Sequence, residues 1–231
     1  MMTSLHSVVT RPEHVQAVFR DSDRHFKARN NDSGYLMGEV LGQCVGLLSG
    51  EQWKRLRSRV ELPFLHKATI AHFPSITRQV EGYFTALEER RGLSDGKFDP
   101  VADIKMLPFL CLAEVVYGDL SDKQISQLEG LAPQRERLFT YIIKGGIGRY
   151  AWSRYLPTAA NKLLAQFQED WLKFNLEAYE RAKSLGSQAP LVDLWEAAQA
   201  GELDRKQVSN LSLYLPIKSL SQDARTRQFL T

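Results

Sequence analysis

The stretch GLLSGEQWKRLRSRVELPF, Gly46 to Phe64, is the most informative part of the chain. Ser49 followed three residues later by Gln52 predicts a helix opened by a capping box, with the serine oxygen accepting the Gln52 backbone N–H. At 100° per residue from Trp53, Leu56 falls at about −60°, Val60 at about −20° and Arg57 at about +40°. Lys54, Arg55, Ser58 and Arg59 point the other way. Pro63 lacks a backbone donor and predicts the end of the helix near Leu62. Arg57 thus lies at the edge of the apolar stripe. A half-buried guanidinium left without an anion costs on the order of several kcal/mol, so a side chain from elsewhere in the fold or a ligand must supply one. The plainer alternative is a surface cation–π pair between Trp53 and Arg57 at i, i+4.

Around this helix the composition is that of a folded chain. Of 231 residues, 43% are hydrophobic and 25% charged, enough to bury a core. Lys and Arg number 30 against 27 Asp and Glu, and no aromatic residues interleave the run KRLRSR, which excludes a nucleic-acid partner. Cys44 and Cys111 belong to no metal-spaced pattern, which predicts reduced thiols in a cytoplasmic setting. The longest mostly apolar run, MLPFLCLAEVVYG, is interrupted by Glu114 and falls short of the roughly 20 residues of a membrane span, so no membrane anchor is expected in this chain.

Helical periodicity recurs along the rest of the chain. Thr10 to Glu13 is a second capping box, predicting a helix to about Phe19, and SVVT before it is strand-like. Residues 21–50 read as loop-rich, with RNNDSG as a turn cluster. Ile76, Val80, Phe84 and Leu87 predict a helix over about 74–90. Asp99-Pro100 starts an apolar segment running to Tyr117, the pattern of a buried helix. Ser121 to Gln124 opens a helix to about Lys144, GGIGRYAWSRYLP is a loop, and a long helix spans about Thr158 to Leu185 with Phe167, Trp171 and Phe174 on one face. Further helices follow at about 190–200 and after Asp204. Pro216 interrupts the next, and residues 214–231 are short, polar and unpatterned.

No local pattern carries catalysis. H-E-x-x-H, Walker, G-x-S-x-G and dinucleotide-binding motifs are all absent. Gly145, Gly146 and Gly148 follow no strand and read as a connector. The five histidines never pair at i, i+4, and His66 and His72 straddle an expected loop. Glu88-Glu89 reads as a solvated helix face. No residue is assigned a catalytic or metal-ligating role.

The opening stretch resembles helix C of the cytochrome P450 enzymes, the haem-thiolate monooxygenases: a G-L-L run, a Gly, a polar step, W-x-x-x-R and then a Pro-Phe pair. Other segments fall in family order. VVTRPEHVQAVF resembles helix B with the strand before it, and DPVADIKMLPFLCLAEVVYGD resembles helix E. Residues 122–144 and 158–185 resemble helices F and G, and PLVDLWEAAQAGELDRKQVSNL resembles the approach to helix I. The resemblance is to fungal enzymes of secondary metabolism and covers about residues 8–213. It implies a mainly α, incomplete cytochrome P450 fold comprising helices B to H. It implies a partial domain over residues 1–213, with 214–231 as a divergent tail. It also implies haem as cofactor, with Trp53 and Arg57 bonded to a haem propionate as the anion that Arg57 requires.

The family's helix I acid-alcohol pair, helix K E-x-x-R and cysteine loop have no counterpart in these 231 residues, and neither Cys44 nor Cys111 stands in the place of the axial ligand. The expectation is therefore a truncated monooxygenase-like protein of fungal secondary-metabolite biosynthesis, catalytically inactive as written. The apolar faces carrying Phe167 and Trp171 are expected to be left open without helix I. A first alternative is an active haem-dependent monooxygenase with a truncated gene model. It would oxidise a small metabolite with electrons from a flavoprotein reductase docked on Lys54, Arg55 and Arg59. A second is a non-enzymatic helical binding module.

Overall fold

The structure, a computed structural model, describes residues 8–20, 26–42, 44–91, 97–99, 103–210 and 212. The regular structure among them is helical throughout, with no strand. In chain order the helices are α1 (Pro12–Arg20), α2 (Tyr35–Leu41), α3 (Gly50–Val60), α4 (His66–Arg91), α5 (Leu107–Tyr117), α6 (Asp122–Lys144), α7 (Ala159–Ser184), α8 (Pro190–Gln199) and α9 (205–210). The expected divergent tail, 214–231, lies outside the described residues, as does Pro100 of the Asp99-Pro100 start signal.

The longest helices start where their caps are strongest. Ser121 Oγ accepts from the Gln124 backbone N–H at 3.4 Å, and Gln124 Oε1 accepts from the Ser121 N–H at 3.0 Å, a complete capping box at the head of α6. Thr158 Oγ1 accepts from the Asn161 N–H at 3.1 Å at the head of α7. Helices α6 and α7 form an antiparallel pair, and α5 and α8 close over it to make the core.

At the centre of that core stands Trp171, its ring stacked on Phe167 and Phe174 at centroid distances of 6.0 and 5.6 Å. Tyr117 of α5 meets Phe174 edge-on at 5.2 Å. The polar tips of these rings are satisfied inside the protein: Trp171 Nε1 donates to the Ser209 carbonyl at 2.8 Å, and Tyr117 Oη donates to Asn175 Oδ1 at 3.3 Å. Phe167 and Trp171 are only 2% and 3% exposed. That corrects the expectation of an open face on this helix: α9, through Val208 and Ser209, covers it. Apolar side chains are uncovered elsewhere, on α1, which buries no residue, and at Ile70 and Phe73 of α4.

Four local expectations change. Val8 to Thr10 form no strand. Helix α4 begins at His66, not near 74, because Pro74 sits within the helix on its exposed side instead of stopping it; His66 and His72 consequently share one helix and straddle no loop. The loop-rich segment contains α2, whose Leu36 and Val40 are buried. Finally, Ser49 is the N-cap of α3 but its side chain caps nothing there, accepting instead from the Lys27 backbone N–H at 3.1 Å.

Helix α2 is held by close backbone approach. Gly34, its N-cap, has φ 88° and ψ −168°, a region open only to glycine, and a Cβ there would lie 2.4 Å from Arg149 Cα. Gly34→Ala is expected to cost about 2 kcal/mol or more in urea unfolding. Gly186→Ala has a similar positive φ but open space around it, and its cost should stay near 1 kcal/mol. Equal costs at the two sites would show that the approach of the Arg149 backbone contributes nothing. No helix among the described residues is long and apolar enough to cross a membrane.

Candidate functional site

The chain enters α3 through a short segment pinned by Lys27. Its ammonium group donates to the carbonyls of Val45 and Leu48 at 3.1 and 3.0 Å, tying off backbone acceptors just before the helix. Partial burial holds the Lys27 pKa below its usual value, the surrounding cost being desolvation. Leu56 and Val60 face the core, as the 100° spacing requires, and Trp53 packs against it from the edge. Pro63 falls in a one-turn extension, Leu62–Phe64, after the α-helix has ended at Val60.

Trp53 and Arg57 come together at that edge. The Arg57 guanidinium carbon lies 5.9 Å from the Trp53 ring centre, a cation–π distance. Arg57 Nε donates to Glu61 Oε2 at 2.9 Å, and both side chains stay about two-fifths exposed (42% and 40%). The resident anion is therefore neither distant nor foreign but one helical turn along. The i, i+4 spacing of Arg57 and Glu61 in RSRVE places this carboxylate on the same side of the helix as the guanidinium. Neither terminal nitrogen of Arg57 nor the Trp53 indole N–H has a hydrogen-bond partner among the described residues. The donor set left over suits a second carboxylate: a planar fork beside a single N–H, on a surface that water still reaches.

The basic face of α3 is largely spoken for. Arg59 pairs with Glu202 and Lys54 with Glu51, the latter at 3.2 Å. The Arg59 contact bridges a cavity of about 420 Å³ that runs between α3 and the turn after α8, lined also by Leu48, Arg55 and Leu203.

The cysteines stand apart from this edge. Cys44 has no exposed surface and Cys111 lies half-buried on α5; both are free thiols whose pKa burial pushes up, so neither is held as a thiolate. Among the described residues no group of three or more His, Cys, Asp or Glu side chains could hold a metal ion. The glycine-rich connector forms two short 3-10 turns, Gly146–Arg149 and Ala151–Tyr155.

Comparison with known proteins matches residues 1–213 to the cytochrome P450 family model. The cytochrome P450 monooxygenase aclC of Aspergillus oryzae is 45% identical over 201 residues, which is 87% of this chain and 41% of that protein. The cytochrome P450 monooxygenase asaD of Aspergillus flavus is 43% identical over 202 residues, 87% of this chain and 39% of that protein. The cytochrome P450 monooxygenase gliC of Aspergillus fumigatus is 40% identical over 208 residues, again 87% of this chain and 41% of that protein. The chain thus spans about two-fifths of the length of these relatives.

Proposed function

Since the chain belongs to the cytochrome P450 family, we propose that it is the part of a haem-dependent monooxygenase that grips a haem propionate, with Trp53 and Arg57 as the gripping residues. The observation that supports this is the free donor set at the α3 edge: an indole N–H and two guanidinium nitrogens, aligned by the ring contact at 5.9 Å. Haem, when bound, supplies the redox centre at which a small metabolite is oxidised with electrons from a flavoprotein reductase.

The chain's own residues then have binding and orienting roles. Arg57 carries the positive charge that a propionate requires. Trp53 limits the swing of that guanidinium by stacking, which restricts the direction in which its fork opens. Glu61 neutralises Arg57 from the other side and holds its Nε, leaving the terminal nitrogens for the ligand. Neither Cys44 nor Cys111 is assigned the axial position, and on this reading the chain by itself is catalytically inactive. Among the described residues Lys54 and Arg59 of the outer face of α3 have ion-pair partners and Arg55 has none, so that face offers a reductase less free charge than the sequence suggests.

Titration of the chain with hemin and with hemin dimethyl ester tests the proposal. The ester keeps the porphyrin and removes both carboxylates. Hemin should bind at least about tenfold more tightly, the ratio expected when a hydrogen bond to a charged group is lost. Equal affinity for the two would overturn the propionate role.

A further inference from the structure

We propose that the cavity at the head of α7 binds a small tetrahedral oxyanion of the phosphate class, held by the Lys144 ammonium group, the backbone N–H groups of Ala159 and Ala160 and the Ser153 hydroxyl. The cavity has a volume of about 220 Å³. It lies where the last turn of α6, the connector and the first turn of α7 meet, with Leu36 of α2 on its wall. Its lining holds one charged group, Lys144, and no carboxylate, so its electrostatic preference is for an anion.

The donors come from three elements. Thr158 is the N-cap of α7, and its Oγ1 takes the Asn161 N–H at 3.1 Å. The N–H groups of Ala159 and Ala160 have no partner among the described residues, and both residues line the cavity. They stand at the positive end of a 26-residue helix, where orphan N–H groups and the helix dipole both favour negative charge. The end of α6 brings acceptors to the same place, but its Tyr141 and Ile142 carbonyls each accept from the Gly145 N–H at 3.1 Å, and Lys144 adds a full positive charge there.

Ser153 is the observation that turns a helix end into a site. It lines the cavity, is only 2% exposed, and its hydroxyl has no hydrogen-bond partner. A buried hydroxyl without a partner is costly, and a change of staggered rotamer redirects it without moving the backbone. That backbone is already fixed. Asn161 Nδ2 donates to the carbonyls of Ser153 and Leu156 at 2.7 and 2.8 Å, tying the connector to α7. Little ordering is then left to be done on binding. Donors converging from three elements suit a tetrahedral oxyanion, whose acceptor oxygens point in several directions, better than a planar carboxylate. No residue of the cavity belongs to the Trp53–Arg57 pair, so this site stands or falls independently of haem.

The test titrates the full ¹⁵N-labelled chain, without haem, with sodium phosphate at constant ionic strength. Saturable shifts are expected at the Ala159 and Ala160 backbone amides, with weaker binding of acetate. Lys144→Ala should weaken the phosphate affinity at least about tenfold, the loss of a hydrogen bond to a charged group, and Ser153→Ala about threefold or more. Lys173→Ala removes the same charge from an exposed position of α7 outside the cavity lining and should leave the affinity unchanged. If Ser153→Ala does not fold, Lys144→Ala, at an exposed helix end, decides alone. Shifts that grow without saturating, or equal losses in Lys144→Ala and Lys173→Ala, mark an adventitious ion only and overturn the proposal. So does equal affinity for acetate, or an affinity unchanged in either folded cavity variant.

Discussion

Trp171→Ala is expected to lower the stability of the chain by about 3–5 kcal/mol, read as a fall in the urea midpoint. The side chain is almost fully buried and stacks on two other rings, so its removal leaves a cavity that Phe167 and Phe174 cannot both fill. It also removes one of the two donors to the Ser209 carbonyl, the Trp171 indole, leaving Ser212 Oγ at 2.8 Å as the other. Against a total of about 5–15 kcal/mol for a protein domain, this single change removes about a fifth or more. Trp171→Phe separates the two contributions. It restores most of the packing but not the N–H, and the residual cost should be about 0.5–1.5 kcal/mol with increased amide exchange across 205–210. A loss below about 1.5 kcal/mol for Trp171→Ala would mean that the ring is not the centre of the core.

Arg57→Ala is expected to weaken hemin binding by about 10- to 100-fold and to erase the preference of the chain for hemin over its dimethyl ester. Truncation removes both the charge and the fork, and it releases Trp53 from its stacking partner. Glu61→Gln is the more searching variant. Glu61 takes only Nε, so its neutral form leaves the fork intact while removing a negative charge beside the incoming propionate. Affinity for hemin should then hold or rise, with the ester unaffected. Weaker hemin binding by Glu61→Gln would instead show that Glu61 positions the guanidinium, and a null effect of Arg57→Ala would remove Arg57 from the site altogether.

The fold was legible where local rules and burial agree. Ser121 with Gln124, and Thr158 before a long apolar stripe, place α6 and α7 to within a residue or so of their ends. The failures arise where tertiary contact overrides local chemistry. Pro74 is a helix breaker by rule, yet its missing N–H costs only one hydrogen bond, and the ring faces outward. Helix α2 is short and glycine-rich, so nothing in its propensity announces it; it exists because Leu36 and Val40 are buried and because Arg149 and Asn210 press against its glycines. Ser49 had the spacing of a capping box, but a competing donor from Lys27 took its oxygen.

The site was legible in position more than in electrostatics. Trp53 and Arg57 lie together on the edge that the wheel angles assign to them, and Leu56 and Val60 are buried beside them. The exposure of Arg57 is greater than its place on the wheel suggests, because the guanidinium reaches past the stripe to Glu61 at the start of the next turn. Ser153 could not have been singled out at all. A lone serine in the connector gives no sign of being buried with its hydroxyl unpartnered.

The anchors of α2 also set an order of assembly. Among its tertiary partners are Arg149, Gln168, Lys206 and Asn210, each more than a hundred residues downstream, whereas α6 and α7 are joined by a short connector and meet as neighbours in sequence. Loop closure is cheap for the hairpin and expensive for α2. On a chain emerging from the ribosome, α2 is made well before the residues that shelter it, and its Leu36 and Val40 stay uncovered until those are synthesised. Pulse-labelled amide exchange during refolding should therefore show protection at 35–41 only after 122–144 and 159–184 are protected; simultaneous protection would mean that α2 finds an earlier, closer partner.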